Sequence, residues 1–311
     1  MALVDTAGTR DVVAARITGR KADTSGALFR AALLGALLLT LAVLVMLLTD
    51  VVRDGWDVLS TRFGDFITGT LRSQPEEAGV FQGLRGSFWI GVYTVLLAFP
   101  IGIGAAIYLE EYSPRSRFTR FISVNIRNLA GVPSVVYGIL GFAIFVKSLG
   151  WFTGGRTLMA AGITLAILVL PIVVITASEA IRAVPDSIRE AGFGVGATRW
   201  EVIRSHVLPY AAPGIITGTI LALARALGEA APLILVGAVT GRLGGGAGSL
   251  FDLEQIRERF TAMPIVIADW AGKPGDFQSK NAPAAIVVLL AVVLLANTAA
   301  ILLRNHYEKK R

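Results

Sequence analysis

Six stretches of this chain are long and apolar enough to cross a bilayer, and that constrains its folding more than anything else in the sequence. A membrane-spanning helix takes roughly 17 to 25 predominantly apolar residues. Residues 31–49, 86–109, 129–146, 157–178 and 281–303 meet that requirement without one charged side chain. Residues 207–239 meet it with Arg225 and Glu229 inside. With 54% of 311 residues hydrophobic and only 16% charged, the chain is too apolar for a soluble globule of its size. The expectation is an all-α integral membrane protein with six transmembrane helices.

The same composition excludes several kinds of chemistry. A net charge of +7 could suit nucleic acid, but the basic residues lie between apolar stretches and are not interleaved with aromatics, so no nucleic-acid partner is expected. Cysteine is absent, which removes disulfides, thiol nucleophiles and cysteine metal sites. His206 and His306 are the sole histidines and fall on different segments, so a metal centre is not expected. No HExxH, aspartate pair or serine–histidine set falls on facing spans, which argues against an intramembrane enzyme. No GxxxxGK[ST] loop is present, so ATP and its magnesium are expected on a partner, with no cofactor in this chain. The first apolar run follows Arg10, Arg16, Arg20 and Lys21 and is too long for a signal peptide, so it is expected to remain as an anchor.

Six spans put both termini on one side. Residues 1–27, 110–128, 181–205 and 304–311 carry sixteen Lys and Arg, against eleven in the longer connections 50–85, 147–156 and 241–281. Short basic loops stay in the cytoplasm, so the termini and the 181–205 loop are expected inside. Arg117, Arg120 and Arg127 alternate with Phe118, Phe121 and Ile122 in the pattern of a helix lying at the inner interface. Pro100, Pro133, Pro171, Pro213 and Pro232 fall in or beside the apolar stretches and are expected to bend them.

Between two of those stretches lies REAGFGVGATRWEVIRSHVLPYAAP, residues 189–213. Ala197, Trp200, Val202 and Ile203 recur at helical spacing among Arg199, Glu201 and Arg204, after glycines 192, 194 and 196 and before Pro209 and Pro213. That pattern predicts a short surface helix bracketed by bends. Glu190, Ala191 and Gly192, then Gly196 after three residues, then Leu208 and Pro209, resemble the EAA loop of ABC importer permeases. Gly192 stands where alanine is usual and His206 where an aliphatic residue is usual. The resemblance implies a type I ABC importer permease fold, with loop 186–209 docking on two copies of a cytoplasmic ATPase. Glu190, Ala191, Gly192, Gly196, Arg199, Trp200, Leu208 and Pro209 are the implied coupling residues.

Arg225 and Glu229 are four residues apart, the spacing of one helix face. A charge in hydrocarbon costs at least roughly 2.5 to 3.5 kcal/mol, so both must face a bundle interior or a hydrated path. The guanidinium offers planar donors suited to an oxyanion. NLAGVPSVVYG at 128–138, ARALGEAAP at 224–232 and AMPI at 262–265 resemble the phosphate-specific permeases of the PstA type. That resemblance implies a phosphate pathway past Arg225 and Glu229, with Ser134 and Tyr137 as further candidates. Ile175 is apolar where some members carry an arginine. It also implies a sister permease, an extracytoplasmic phosphate-binding protein, and lipid around a multi-pass protein of the bacterial inner membrane. A permease for sulfate or molybdate is the alternative. The expected organisation is an amino-terminal cytoplasmic segment 1–27, a permease domain 28–303 and a cytoplasmic tail 304–311.

Overall fold

The structure, a computed structural model, describes residues 24–114, 116–239 and 258–309. The expectations for 1–23, for much of the 241–281 connection and for 310–311 fall outside those residues. Among the described residues the chain is helical and contains no strand. Among the described residues five helices are long and apolar enough to span a membrane, and one pair of helices, bent by 98°, meets that requirement only when its two parts are taken together.

The first apolar stretch lies in α1 (Thr24–Thr61). Its portion up to Asp50 is a unit of its own, and none of its most apolar 18-residue window is buried. The remaining unit starts at Val51 and is built around α7 (Leu158–Arg182), which packs between α3 (Phe81–Ile107) and α10 (Leu208–Gly228). Two thirds of the apolar window of α7, 67%, is buried. Lipid is as apolar as leucine, so helices in a bilayer associate through close packing that small residues permit. A Cβ on Gly102 of α3 would stand 2.7 Å from Val173, and one on Gly214 of α10 would stand 2.8 Å from Ala180. Gly218 likewise leaves room for Thr176.

The end of the bundle that carries α2 (Phe63–Thr68) is closed by Phe66, Trp270 and Phe277, with ring centroids 6.1 and 5.6 Å apart in sequence order. Here α12 (Met263–Ala271) and the start of α13 (Ala282–Lys309) meet the 69–80 segment. Arg62 ties that segment down: its guanidinium donates to the carbonyls of Pro75, Glu76 and Ala78 and to Asn281 Oδ1. Burial lowers the Arg62 pKa, and Glu76, Asp65 and Asp57 oppose that shift.

Three expectations need correction. Residues 129–146 are not one straight span. The chain forms α4 (Arg117–Ala130), turns by 98°, and resumes as α5 (Ser134–Gly141) with a π-helical continuation to Ser148, followed by the single turn α6 (Gly150–Thr153). Pro133 disfavours helical geometry at Val132 and lacks the N–H that would continue the ladder, so the helix stops there. Residues 207–239 also break, at Glu229, before α11 (Ala231–Val236). The surface helix is neither isolated nor ended by Pro209: α9 (Arg199–Val202) passes through a π turn, Ile203–Val207, straight into α10, giving one helix from Arg199 to Gly228. Pro209 occupies the first turn of α10. Pro100, Pro171 and Pro213 lie inside helices that continue through them, while Pro133 and Pro232 mark breaks.

Candidate coupling loop and translocation pathway

The loop between α7 and α10 is built from α8 (Asp186–Gly194) and α9, joined by a turn at Gly196. Gly196 has φ +82°, a left-handed geometry that a side chain would strain although nothing lies within 4 Å. Thr198 then starts α9 with a reciprocal cap. Its hydroxyl accepts from the Glu201 N–H, and Glu201 Oε2 accepts from the Thr198 N–H at 2.7 Å. Gly192 is buried, and a Cβ there would stand 2.7 Å from a Val202 methyl. The glycine in place of the usual alanine is therefore matched to the valine facing it. Val202, Ile203 and Val207 are buried, whereas His206 is exposed, which is why a polar residue is tolerated there.

Glu190, Ala191, Arg199 and Trp200 all face outward, and Leu208 and Pro209 are half-buried at the start of α10. Trp200 is joined by two residues that sequence reasoning missed, Phe193 and Val195, with Val195 85% exposed. These three apolar side chains are left uncovered on a loop that is otherwise locked in place. The only sequence signal for them is that apolar residues follow the glycines.

The lock itself was also missed. At the end of α3 a π turn, Tyr108–Tyr112, presents Glu110 and Glu111. Glu110 binds Arg182 through two hydrogen bonds, at 2.7 and 3.2 Å. Glu111 accepts two from Arg189, at 2.8 and 3.1 Å, and this pair is the more buried, with side chains 8% and 18% exposed. Arg189 also donates to the carbonyls of Ile181 and Val184, where α7 ends. One guanidinium thereby fastens the loop to two helices. Partners more than 70 residues apart leave no local trace in a sequence.

At the other end of the Arg199–Gly228 helix stand Arg225 and Glu229. Their side chains approach to 3.5 Å, as the spacing predicts, but not along a continuous helix face. Glu229 lies just beyond the helix end with extended geometry, φ −79° and ψ 124°. Arg225 is 48% exposed and Glu229 18%, so the guanidinium faces away from this chain's own core. Ser134 opens α5, half-buried. Tyr137 is buried and donates its hydroxyl to the Leu129 carbonyl at 2.9 Å, closing the end of α4. The 128–138 and 224–232 motifs touch: a Cβ on Gly138 would stand 2.7 Å from the Pro232 Cα. Thr176 donates back to its own helix at Ile172 and Val173, and Ile175 is half-buried beside it.

This bundle, with its locked loop and broken spans, has the fold of the type I ABC importer permeases. It aligns with a chain of the MetNI methionine ABC transporter in an inward facing conformation, at TM-score 0.54 and 18% identity over 74% of this chain and 94% of that one. It aligns also with a chain of a bacterial ABC transporter involved in the import of the acidic polysaccharide alginate, at TM-score 0.51 and 17% identity over 89% and 98%. The pattern of the binding-protein-dependent transport system inner membrane component family matches residues 98–311, and the chain belongs to that family. It is a multi-pass protein of the inner membrane.

Curated relatives include the probable ABC transporter permease protein YqgI of Bacillus subtilis (strain 168), 35% identical over 64% of this chain and 66% of the relative. The phosphate transport system permease protein PstA of Mycobacterium leprae (strain TN) is 40% identical over 64% and 65%. PstA 1 of Mycobacterium tuberculosis (strain ATCC 25618 / H37Rv), also a phosphate transport system permease protein, is 33% identical over 86% and 83%. The match spans just under two thirds of the first two relatives and most of the third.

Proposed function

We propose that this chain is a permease subunit of an ATP-driven phosphate importer, pairing with a sister permease to form the translocation pathway. One observation carries the coupling mechanism: the loop and the Arg225–Glu229 pair lie at opposite ends of one uninterrupted helix, Arg199–Gly228. At 1.5 Å per residue, Arg199 and Arg225 are about 39 Å apart along it. Two copies of a cytoplasmic ATPase, which supply the ATP and Mg that this chain does not hold, grip Glu190, Ala191, Phe193, Val195, Arg199 and Trp200. Their closure tilts the helix from its loop end, and Gly192 and Gly196 keep the loop in shape. The Glu111–Arg189 clamp passes the same push to α3.

At the far end, Arg225 faces the sister subunit, and Glu229 holds the guanidinium until an anion competes for it. An extracytoplasmic binding protein delivers phosphate to the opposite end of the bundle. The phosphate assignment is supported by the three motifs and by two relatives that are phosphate transport system permeases. On this reading the loop, both termini and the segments 1–27 and 304–311 are cytoplasmic, the permease domain is 28–303, and the chain has no ATPase site of its own.

Arg225→Gln is expected to abolish phosphate uptake while leaving the assembled complex recoverable. Normal uptake by that variant would remove Arg225 from the pathway. Competition by sulfate and molybdate in the wild-type transporter separates the oxyanions: inhibition by either at phosphate-like concentrations would reassign the substrate.

A further inference from the structure

Beside the coupling loop, α4 forms one wall of a cleft of about 1150 Å³. Arg182 and Arg189 on the opposite wall are neutralised by Glu110 and Glu111. Arg117, Arg120 and Arg127 on α4 also line the cleft, and among the described residues no carboxylate forms an ion pair with any of them. In all, arginines 117, 120, 127, 182, 189 and 199 line the cleft against Glu110, Glu111 and Asp186, an excess of three positive charges that a bound anion offsets. The occupant is indicated by the other flank of the same helix, where Phe118, Phe121 and Leu129 are 70%, 64% and 47% exposed. At 100° per residue the two triplets are centred about 130° apart around the helix, with the face between them on the far side packed against the bundle. The 98° turn sets α4 close to perpendicular to α5, so that with α5 directed into the bilayer α4 lies along its surface. A helix in that attitude sinks an apolar flank among acyl chains and presents its basic flank at headgroup level.

We propose that α4 and its arginine cleft bind the headgroups of anionic phospholipids, anchoring the coupling-loop end of the permease to the membrane surface. This site is separate from the phosphate pathway at Arg225, and its test does not use transport. The assembled transporter, purified into mixed micelles of phosphatidylglycerol and phosphatidylcholine, is weighed by native mass spectrometry to count retained lipids. The expected result is enrichment of phosphatidylglycerol over phosphatidylcholine in the wild type. Arg117→Gln, Arg120→Gln and Arg127→Gln combined should reduce that enrichment by at least roughly tenfold. The corresponding triple lysine variant should restore it, because lysine keeps the charge. Full enrichment in the glutamine variant would overturn the proposal, as would displacement of the lipid by millimolar inorganic phosphate, which would make the cleft a free-anion site. If the glutamine variant does not assemble, the wild type alone decides: equal retention of the two lipids refutes the proposal.

Discussion

Glu110 and Glu111 are neighbours in sequence and make the same kind of bond, yet their surroundings set different energies. Arg182 is 60% exposed, so its bond to Glu110 competes with water and contributes under about 1 kcal/mol. Arg189 and Glu111 are mostly shielded, and removing one partner leaves a charge without compensation at a cost of roughly 3 kcal/mol. Glu111→Gln is therefore expected to speed amide hydrogen exchange across 186–202 well over tenfold, and Glu110→Gln to change it little. Equal effects from the two would mean that burial does not set the strength of the clamp. The glycines show the same dependence on surroundings: Gly196 is required by its backbone angle alone, Gly192 by Val202 and Gly138 by Pro232.

The element that matters most is the Arg199–Gly228 helix, because a lever transmits force only while it is stiff. It runs through Pro209, in the first turn of α10, and through Pro213 in the second. A third proline further along would remove another bond of the same ladder. Thr217 is exposed in mid-helix, and Thr217→Pro removes a backbone hydrogen bond and crowds the preceding turn at a cost of about 3 kcal/mol. The expected outcome is a transporter that still hydrolyses ATP and retains its ATPase subunits but imports little phosphate. Full import by that variant would show that force reaches Arg225 by another route. Prolines at α5 and α11 act oppositely: Pro133 and Pro232 end one helix and begin the next, and the short helices they define meet at Gly138.

Over the whole molecule, the two ends of the Val51–Arg311 unit are fastened by different means. One end is held by the aromatic cluster of Phe66, Trp270 and Phe277 together with Arg62, and the other by the Glu111–Arg189 clamp over a small apolar cluster that includes Ile181 and Val202. Arg62→Ala leaves the carbonyls of Pro75, Glu76 and Ala78 without that donor, at about 1–3 kcal/mol for those that stay buried. It should make the 69–80 segment cleavable by protease added outside intact cells. Cleavage only from the cytoplasmic side would reverse the proposed orientation.

The amino-acid sequence by itself determined the membrane class and the family, because uncharged runs of bilayer length and the glycine and proline spacing of the loop are local patterns. It also placed Arg225 within reach of Glu229, since four residues suffice to bring the two together. The tertiary structure alone decided that the loop continues into α10 and that Glu111 holds Arg189. Those outcomes depend on partners distant in the chain, and the energy of a close contact or a shielded charge exists only once the fold has brought them together.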